Sequence, residues 1–572
     1  MLLWLCCSAA GGPQVVSRRQ GRYLMLEQMV AAGVSHVFGN PGTTEQAFMD
    51  ALNDYPQLRY ILALHEGVAV GIADGYSRLS PVPAFVQLHI TPGLGNAMGM
   101  LYNAYWTRAP LVVYVGQHPQ RGGQQEPILW GDVVAMARSV TKWAAEVQDA
   151  ADLPMLLRRA FQVAAAPPQG PVLLSVPTNI MDEEAEAEVV PPSYARTAVR
   201  PDPEALEQAA QWLAEAQAPV IVAGAGAAHA HRQLAALAEL VGARVHVAFG
   251  PLSPLGPDHP LYAGPLNVIS AAGLRAQLSG ADLLLAVGAP LFRGLFPLPE
   301  DPLPAGCRVV QIDLDPWELG KNWPVQLAVL ADPAQALAEL REAVERRLGP
   351  GQREAARKRQ EAVAALRQAM AEAMDASARP RWDQRPMAPA RFAYELAQAL
   401  HPDTLLYDES ITVGGQLGRH LRLGAGQHFR AAGGGLGPGM PAPIGLKLAC
   451  PQRPVLAVVG DGSALYTIQA LWTAAHHQVP VTWVIANNAS YRILKLNLLD
   501  YLGEGAAGRA FLAMDLASPA VDFVALAKAF GVKGVRLEEP QDIGPAVREA
   551  QQAQEPRLID VVIDGSVRGG FL

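Results

Sequence analysis

The chain has 572 residues, of which 50% are apolar and 17% charged. At roughly 150 residues per domain this suffices for three or four packed cores and excludes an intrinsically disordered protein. The formal charge of −8 argues against nucleic acid or an anionic membrane as the main partner.

The first twelve residues are mildly apolar, but Arg18 and Arg19 follow the run instead of preceding it. That is the wrong order for a secretory signal, so residues 1–20 are expected to be a disordered tail, with Met25 as another possible start. No later stretch holds about 18 consecutive apolar residues, so no membrane span is expected. Short runs rich in Val, Ile and Leu then recur at 84–89, 111–115, 172–176, 220–223, 283–287, 309–313, 455–459 and 481–486. They lack strict alternation, as do strands buried on both faces of a parallel sheet, and helical stretches separate them. The class is therefore α/β with three doubly wound parallel-sheet domains.

An acidic stretch at 182–188 running into Pro191-Pro192 marks the first boundary. A segment rich in Ala, Arg, Glu and Gln at 351–378, followed by Pro380 and Pro386, reads as a helix and a linker. The expected domains are 21–187, 195–345 and 388–566, with a helical linker at 346–387. The four cysteines, Cys6, Cys7, Cys307 and Cys450, have neither metal-ligand spacing nor the density of a disulfide framework, which suits a reducing cytoplasm.

The third domain carries the strongest chemical signal. The run 455–459 ends at Gly460-Asp461-Gly462-Ser463, a helix is expected over 467–477, and the run 481–486 ends at Asn487-Asn488. Both loops fall at carboxyl ends of parallel strands, where open α/β sheets bind ligands. Asp461 offers a carboxylate, Asn488 an amide oxygen and Ser490 a backbone carbonyl. This is a hard oxygen set of the kind magnesium takes beside a substrate phosphate. Gly460 and Gly462 allow close approach of an anion to the backbone and to the start of the helix. Either loop alone is an ordinary turn.

Together the two loops resemble the signature of thiamine-diphosphate enzymes. Such enzymes also need a glutamate facing the aminopyrimidine ring. Glu66, flanked by apolar residues and opening a helix with Gly67, Ala69, Gly71 and Ala73, fits that need. The resemblance spans about residues 22–563 and is to the decarboxylase and acetolactate-synthase superfamily, with benzoylformate decarboxylases its nearest branch. It is carried by the stretches 37–45 (VFGNPGTTE), 60–66 (YILALHE), 88–99, 288–293 (GAPLFR) and 470–475 (ALWTAA).

The resemblance implies thiamine diphosphate and Mg2+ as cofactors. Glu66, Asn96, Ser410, Thr412, Gly434, Leu436, Gly460, Asp461, Gly462, Ser463, Asn488 and Tyr491 would hold the organic cofactor, and Asp461, Asn488 and Ser490 the metal. Glu66, His89 and Thr43 would be catalytic, His89 at a strand end followed by a glycine-rich turn reaching Gly99. Thr43, His89, Leu295, Leu494 and Asn497 would line the substrate pocket. Two of these depart from the pattern: Leu295 stands where that branch has a second catalytic histidine, and Asn497 where it has an aromatic wall. His65 and His118 are stand-ins by sequence proximity alone. In the central domain Gly224-Ala-Gly-Ala-Ala follows a strand and Asp313 and Asp315 end another, but the third glycine of a dinucleotide fingerprint is absent, so no FAD is expected.

The implied reaction is non-oxidative decarboxylation of a small 2-oxo acid to an aldehyde through an enamine. The alternatives are a carboligase resembling acetolactate synthase and a non-catalytic cofactor-binding regulator. The implied assembly is at least a homodimer, and more fully a homotetramer, with active sites between chains.

Overall fold

A computed structural model describes residues 16–267, 270–294, 297–298, 300–503 and 509–567. The chain packs as two compact units, within 1–195 and 196–572. The first holds one six-stranded parallel sheet and the second holds two. All eight apolar runs are strands. Those such as Ala84–Leu88, Leu111–Gln117, Leu283–Val287 and Thr482–Asn487 are buried along their whole length, because helices cover both faces of each sheet.

The first sheet runs Arg59–Leu62, His36–Gly39, Ala84–Leu88, Leu111–Gln117, Val172–Pro177, Trp143–Glu146. The central sheet runs Tyr262–Pro265, Arg244–Val247, Pro219–Ala223, Leu283–Val287, Arg308–Asp313, Leu327–Leu330. The last runs His428–Arg430, Leu405–Glu409, Val455–Gly460, Thr482–Asn487, Arg557–Val562, Lys533–Leu537. In the first and last sheets the chain winds outward in opposite directions from the gap between the second and third strands, and in the central sheet from the gap between the third and fourth. That gap is the crevice in which doubly wound sheets bind ligands.

Each sheet has its own apolar core. In the first unit Phe48, Phe85 and Tyr114 stack with centroids 5.3 to 6.5 Å apart. In the second, Ile221, Leu285 and Leu237 belong to the core of the central sheet, and Leu406, Val458 and Ile559 to that of the last. Each such side chain contributes about 1.5–3 kcal/mol by leaving water. The helix Pro350–Ala378 is mostly exposed, as its composition predicts. It is fastened at Ala356, whose carbonyl would lie 2.3 Å from a Cβ at Gly242, the left-handed cap of the helix His231–Val241 (φ 64°). Arg359 and Arg367 add bonds to the carbonyls of Val241 and Pro257, both at 2.7 Å.

Two expectations are corrected. The tail does not reach residue 20: Val16–Gln20 pairs antiparallel with Glu184–Glu188, and Arg18 faces Glu184 at 3.3 Å. The acidic stretch read as a boundary is thus a strand that recruits the basic one, while residues 1–15 lie outside the described residues. The glycines after His89 do not form a turn; Ile90–Trp106 is a helix in which glycine permits close packing. The helix expected over 467–477 is Ala470–His476, and a separate short helix, Asp461–Ala464, precedes it. Among the described residues no helix is long and apolar enough to cross a membrane.

Candidate active site

In the second unit, parallel register sets Glu409 level with Val459, and Gly460 level with Ala486. The loops that begin at Ser410, Asp461 and Asn488 therefore leave the sheet side by side at its crevice. Asp461 is 4% exposed and opens the helix Asp461–Ala464. The backbone amides of Gly462, Ser490 and Ala489 lie near its carboxylate and favour its charged form, so both loops converge on one side chain. Burial pushes its pKa up to about 6, against the pull of those amides. Its Oδ2 is buried with no partner among the described residues.

Asn488 Oδ1 accepts from the Ser490 amide at 2.9 Å and keeps a second lone pair. Ala489 turns the chain at φ 50°, and Ser490 Oγ donates to the Met514 carbonyl at 3.0 Å. A carboxylate oxygen awaiting a partner, an amide oxygen and the Ser490 carbonyl form a hard, singly charged donor set. That set fits a magnesium ion that also takes phosphate oxygens.

The anion-facing backbone lies alongside. A Cβ at Gly462 would meet the Tyr491 ring at 2.5 Å, so glycine lets these two loops touch. Ser463 is buried on the short helix. Ser410 is held by Asp408, whose Oδ1 accepts from its amide at 2.9 Å and its hydroxyl at 2.5 Å. Half-buried Thr412 lies in the same loop. Gly434 (φ 94°) and Gly437 (φ 105°) bracket half-buried Leu436, and both angles belong to glycine.

Sequence reasoning overlooked Glu409. Its carboxylate is buried and accepts from the amides of Gly437 and Gly439 at 2.6 Å each, with Ser463 beside it. Desolvation raises its pKa to about 7 despite those donors. The legible signal was an Asp-Glu pair closing an apolar strand.

In the first unit, Glu66 is the first residue of the helix Glu66–Ser77 and is buried. Its Oε2 accepts from Asn96 Nδ2 at 3.0 Å, and a Cβ at Gly93 would lie 2.9 Å from its Oε1. The helix Ile90–Trp106 can close on the carboxylate only with glycine there.

His89 sits at the crevice of this sheet and is organised by a second carboxylate that sequence reasoning also overlooked. Its Nδ1 lies 2.9 Å from Glu45 Oε2 and 3.2 Å from Thr44 Oγ1. Glu45 is 0% exposed and also accepts from the Thr44 hydroxyl at 2.5 Å and the Gly42 amide at 3.0 Å. Burial is the chief cause of its raised pKa, with those donors opposing it. A Cβ at Gly42 would fall 2.0 Å from His89 Nδ1. The readable signal was Gly-Thr-Thr-Glu, a helix-start pattern with the acid three residues on. Ile90 adopts φ 40°, a left-handed angle that costs a β-branched residue about 1–3 kcal/mol. With Nδ1 held, the ring's other nitrogen, Nε2, is the one left for proton exchange.

Thr43 is exposed, and the hydroxyl that reaches His89 belongs to Thr44. His65 Nδ1 accepts from the Gly67 amide at 3.0 Å and so caps the Glu66 helix. His118 Nε2 pairs with the Ile128 carbonyl at 2.8 Å. Leu494 is 45% exposed and Asn497 half-buried, both on the helix Arg492–Leu502; Leu295 lies outside the described residues. On that helix Lys495 is buried and pairs with Asp515. The central sheet's crevice is occupied by chain packing: a Cβ at Gly224 would lie 2.2 Å from the Gly288 carbonyl oxygen.

Comparison with known proteins finds three matching family models. Residues 19–136 match the thiamine pyrophosphate enzyme N-terminal TPP binding domain, 206–340 the central domain and 413–561 the C-terminal TPP binding domain. The chain is 35% identical over 543 residues to benzoylformate decarboxylase of Pseudomonas aeruginosa, covering 92% of this chain and 96% of that one. It is 28% identical over 575 residues to the acetolactate synthase large subunit of Parasynechococcus marenigrum, covering 96% and 88%. The thiamine diphosphate-dependent 4-hydroxybenzoylformate decarboxylase of Rhodococcus jostii RHA1 is a similar solved structure. It has a TM-score of 0.82 at 30% identity, over 96% of this chain and 99% of the other.

Proposed function

Because the chain belongs to the thiamine pyrophosphate enzyme family, we propose that it decarboxylates a benzoylformate-like 2-oxo acid to an aldehyde without oxidation, using thiamine diphosphate and Mg2+. The observation that carries the reading is His89 Nδ1 held 2.9 Å from the buried Glu45 carboxylate. A histidine fixed in this way can give and take a proton through Nε2 during release of the aldehyde. When bound, thiamine diphosphate supplies the electron sink that accepts the pair left by carbon dioxide. Glu66, steadied by Asn96, holds the proton that the aminopyrimidine ring exchanges. Asp461, Asn488 and the Ser490 carbonyl hold the metal, with Ser410, Thr412, Ser463 and Tyr491 around the diphosphate and Gly434 and Leu436 against the pyrimidine. Thr43, Leu494 and Asn497 contact the substrate.

Purified protein supplied with thiamine diphosphate and magnesium is expected to release carbon dioxide from benzoylformate or a branched 2-oxo acid. No turnover across a broad panel of 2-oxo acids overturns the proposal.

Leu295 favours a second reading, because leucine cannot deliver a proton and slow protonation leaves time for a second carbonyl to be joined. The similarity to an acetolactate synthase supports it. Acyloin products by mass spectrometry in place of aldehyde would establish that outcome. Either reaction takes place in a dimer or tetramer whose sites combine Glu66 of one chain with Asp461 of another. A cytoplasmic setting suits the free thiols of Cys307 and Cys450.

A further inference from the structure

Glu409 closes the strand Leu405–Glu409, which is paired on both sides by parallel neighbours, so its backbone is fixed by the sheet. From that anchor one carboxylate oxygen accepts from the Gly437 amide and the other from the Gly439 amide, each at 2.6 Å. A Cβ at Gly439 would lie 2.6 Å from the second oxygen and 2.9 Å from Val459, so the approach requires glycine. Ser463, on the helix Asp461–Ala464, lies beside the same carboxylate and favours its charged form. Thr467, just past that helix, donates its hydroxyl to the Gly437 carbonyl at 2.5 Å. Gly437 is thus held at both its amide and its carbonyl, and the segment 434–439 is tied down immediately after Leu436.

We propose that Glu409 is a positioning residue: its carboxylate sets the spacing between segment 434–439, which receives the pyrimidine, and the helix start at Asp461, which receives the diphosphate. This rests on the cofactor reading above. Two amide donors on one carboxylate are charge-assisted bonds and stiffer than neutral ones. Glutamine at this position has one acceptor oxygen, and its amide nitrogen opposes a backbone N–H, so one of the two ties is lost. The loss leaves each subsite present and uncouples the distance between them. Only a ligand that spans both subsites detects it.

The test uses full-length protein stripped of cofactor, with calorimetric titration at saturating magnesium. Wild type is titrated with thiamine diphosphate and, separately, with inorganic diphosphate, which needs one subsite only. Glu409→Gln is expected to bind thiamine diphosphate at least about tenfold more weakly while inorganic diphosphate changes by less than about threefold. The near-ultraviolet dichroism of the bound cofactor should also differ from wild type at saturation. Equal weakening of both ligands shows a general structural role and overturns the proposal, as does no weakening of either. A wild type that binds no thiamine diphosphate defeats the cofactor reading itself, a separate result. If Glu409→Gln does not fold, Thr467→Val and Thr467→Ser replace it. Valine weakening thiamine diphosphate selectively while serine matches wild type supports the spacing role, and valine matching wild type overturns it.

Discussion

Asp461 is a buried carboxylate whose neighbours are backbone amides and not cations, and that determines how it responds to pH. Burial raises its folded pKa from 3.8 to about 6. The sign follows from linkage: a raised carboxylate favours the fold while protonated, and that contribution is lost as pH rises through 6. A bound cation reverses the balance, because the ligand oxygen must be deprotonated. Magnesium affinity in the presence of thiamine diphosphate should therefore fall as pH falls through 6. It should be about tenfold weaker at pH 5 than at pH 7 by calorimetric titration. A flat profile would exclude Asp461 as the ligand. Glu45, also raised by burial, differs in having a titratable partner, His89, on one of its oxygens.

At the scale of elements, the helices Glu66–Ser77 and Ile90–Trp106 are brought together at Gly93, against Glu66. Alanine has the better helix propensity by about 1 kcal/mol, so Gly93→Ala should leave the helix intact or firmer. Its methyl group would nevertheless displace the Glu66 carboxylate from Asn96. Deuterium exchange at the cofactor's C2 position should fall at least about tenfold in Gly93→Ala with the far-ultraviolet dichroism unchanged, approaching the loss in Glu66→Gln. Exchange at the wild-type rate in Gly93→Ala would show that the helix contact does not position the acid. The strand Ala84–Leu88 that precedes the second of these helices was legible, because burial on both faces of a parallel sheet imposes a continuous apolar run. The glycines after His89 were misread as a turn, since composition does not reveal which helix face must approach a neighbour.

For the whole molecule, Glu66 lies in the unit within 1–195 and Asp461 in the unit within 196–572. If each site takes one from either chain, two inactive variants can complement each other. Coexpressed Glu66→Gln and Asp461→Asn chains should form mixed dimers with one intact site in two. With random pairing, activity should reach about a quarter of wild type, and light scattering should show at least a dimer. No activity in the mixed dimers, or a stable active monomer, would contradict sites shared between chains.

The sequence by itself determined the three parallel sheets, the loops at Asp461 and Asn488 and the helix that begins at Glu66. Each depends on local pattern: apolar runs long enough for a buried strand, glycines beside an acid, and the interval of one crossover. Only the tertiary structure decided that the Ser490 and Ala489 backbone closes on Asp461, that Glu45 and Thr44 hold His89, and that Glu409 bridges Gly437 and Gly439. It also placed Val16–Gln20 in a strand where composition suggested a tail. The physical reason is the same in each case: a buried polar group must find its partner in space, and nothing in its sequence neighbourhood names a partner that other strands and loops supply.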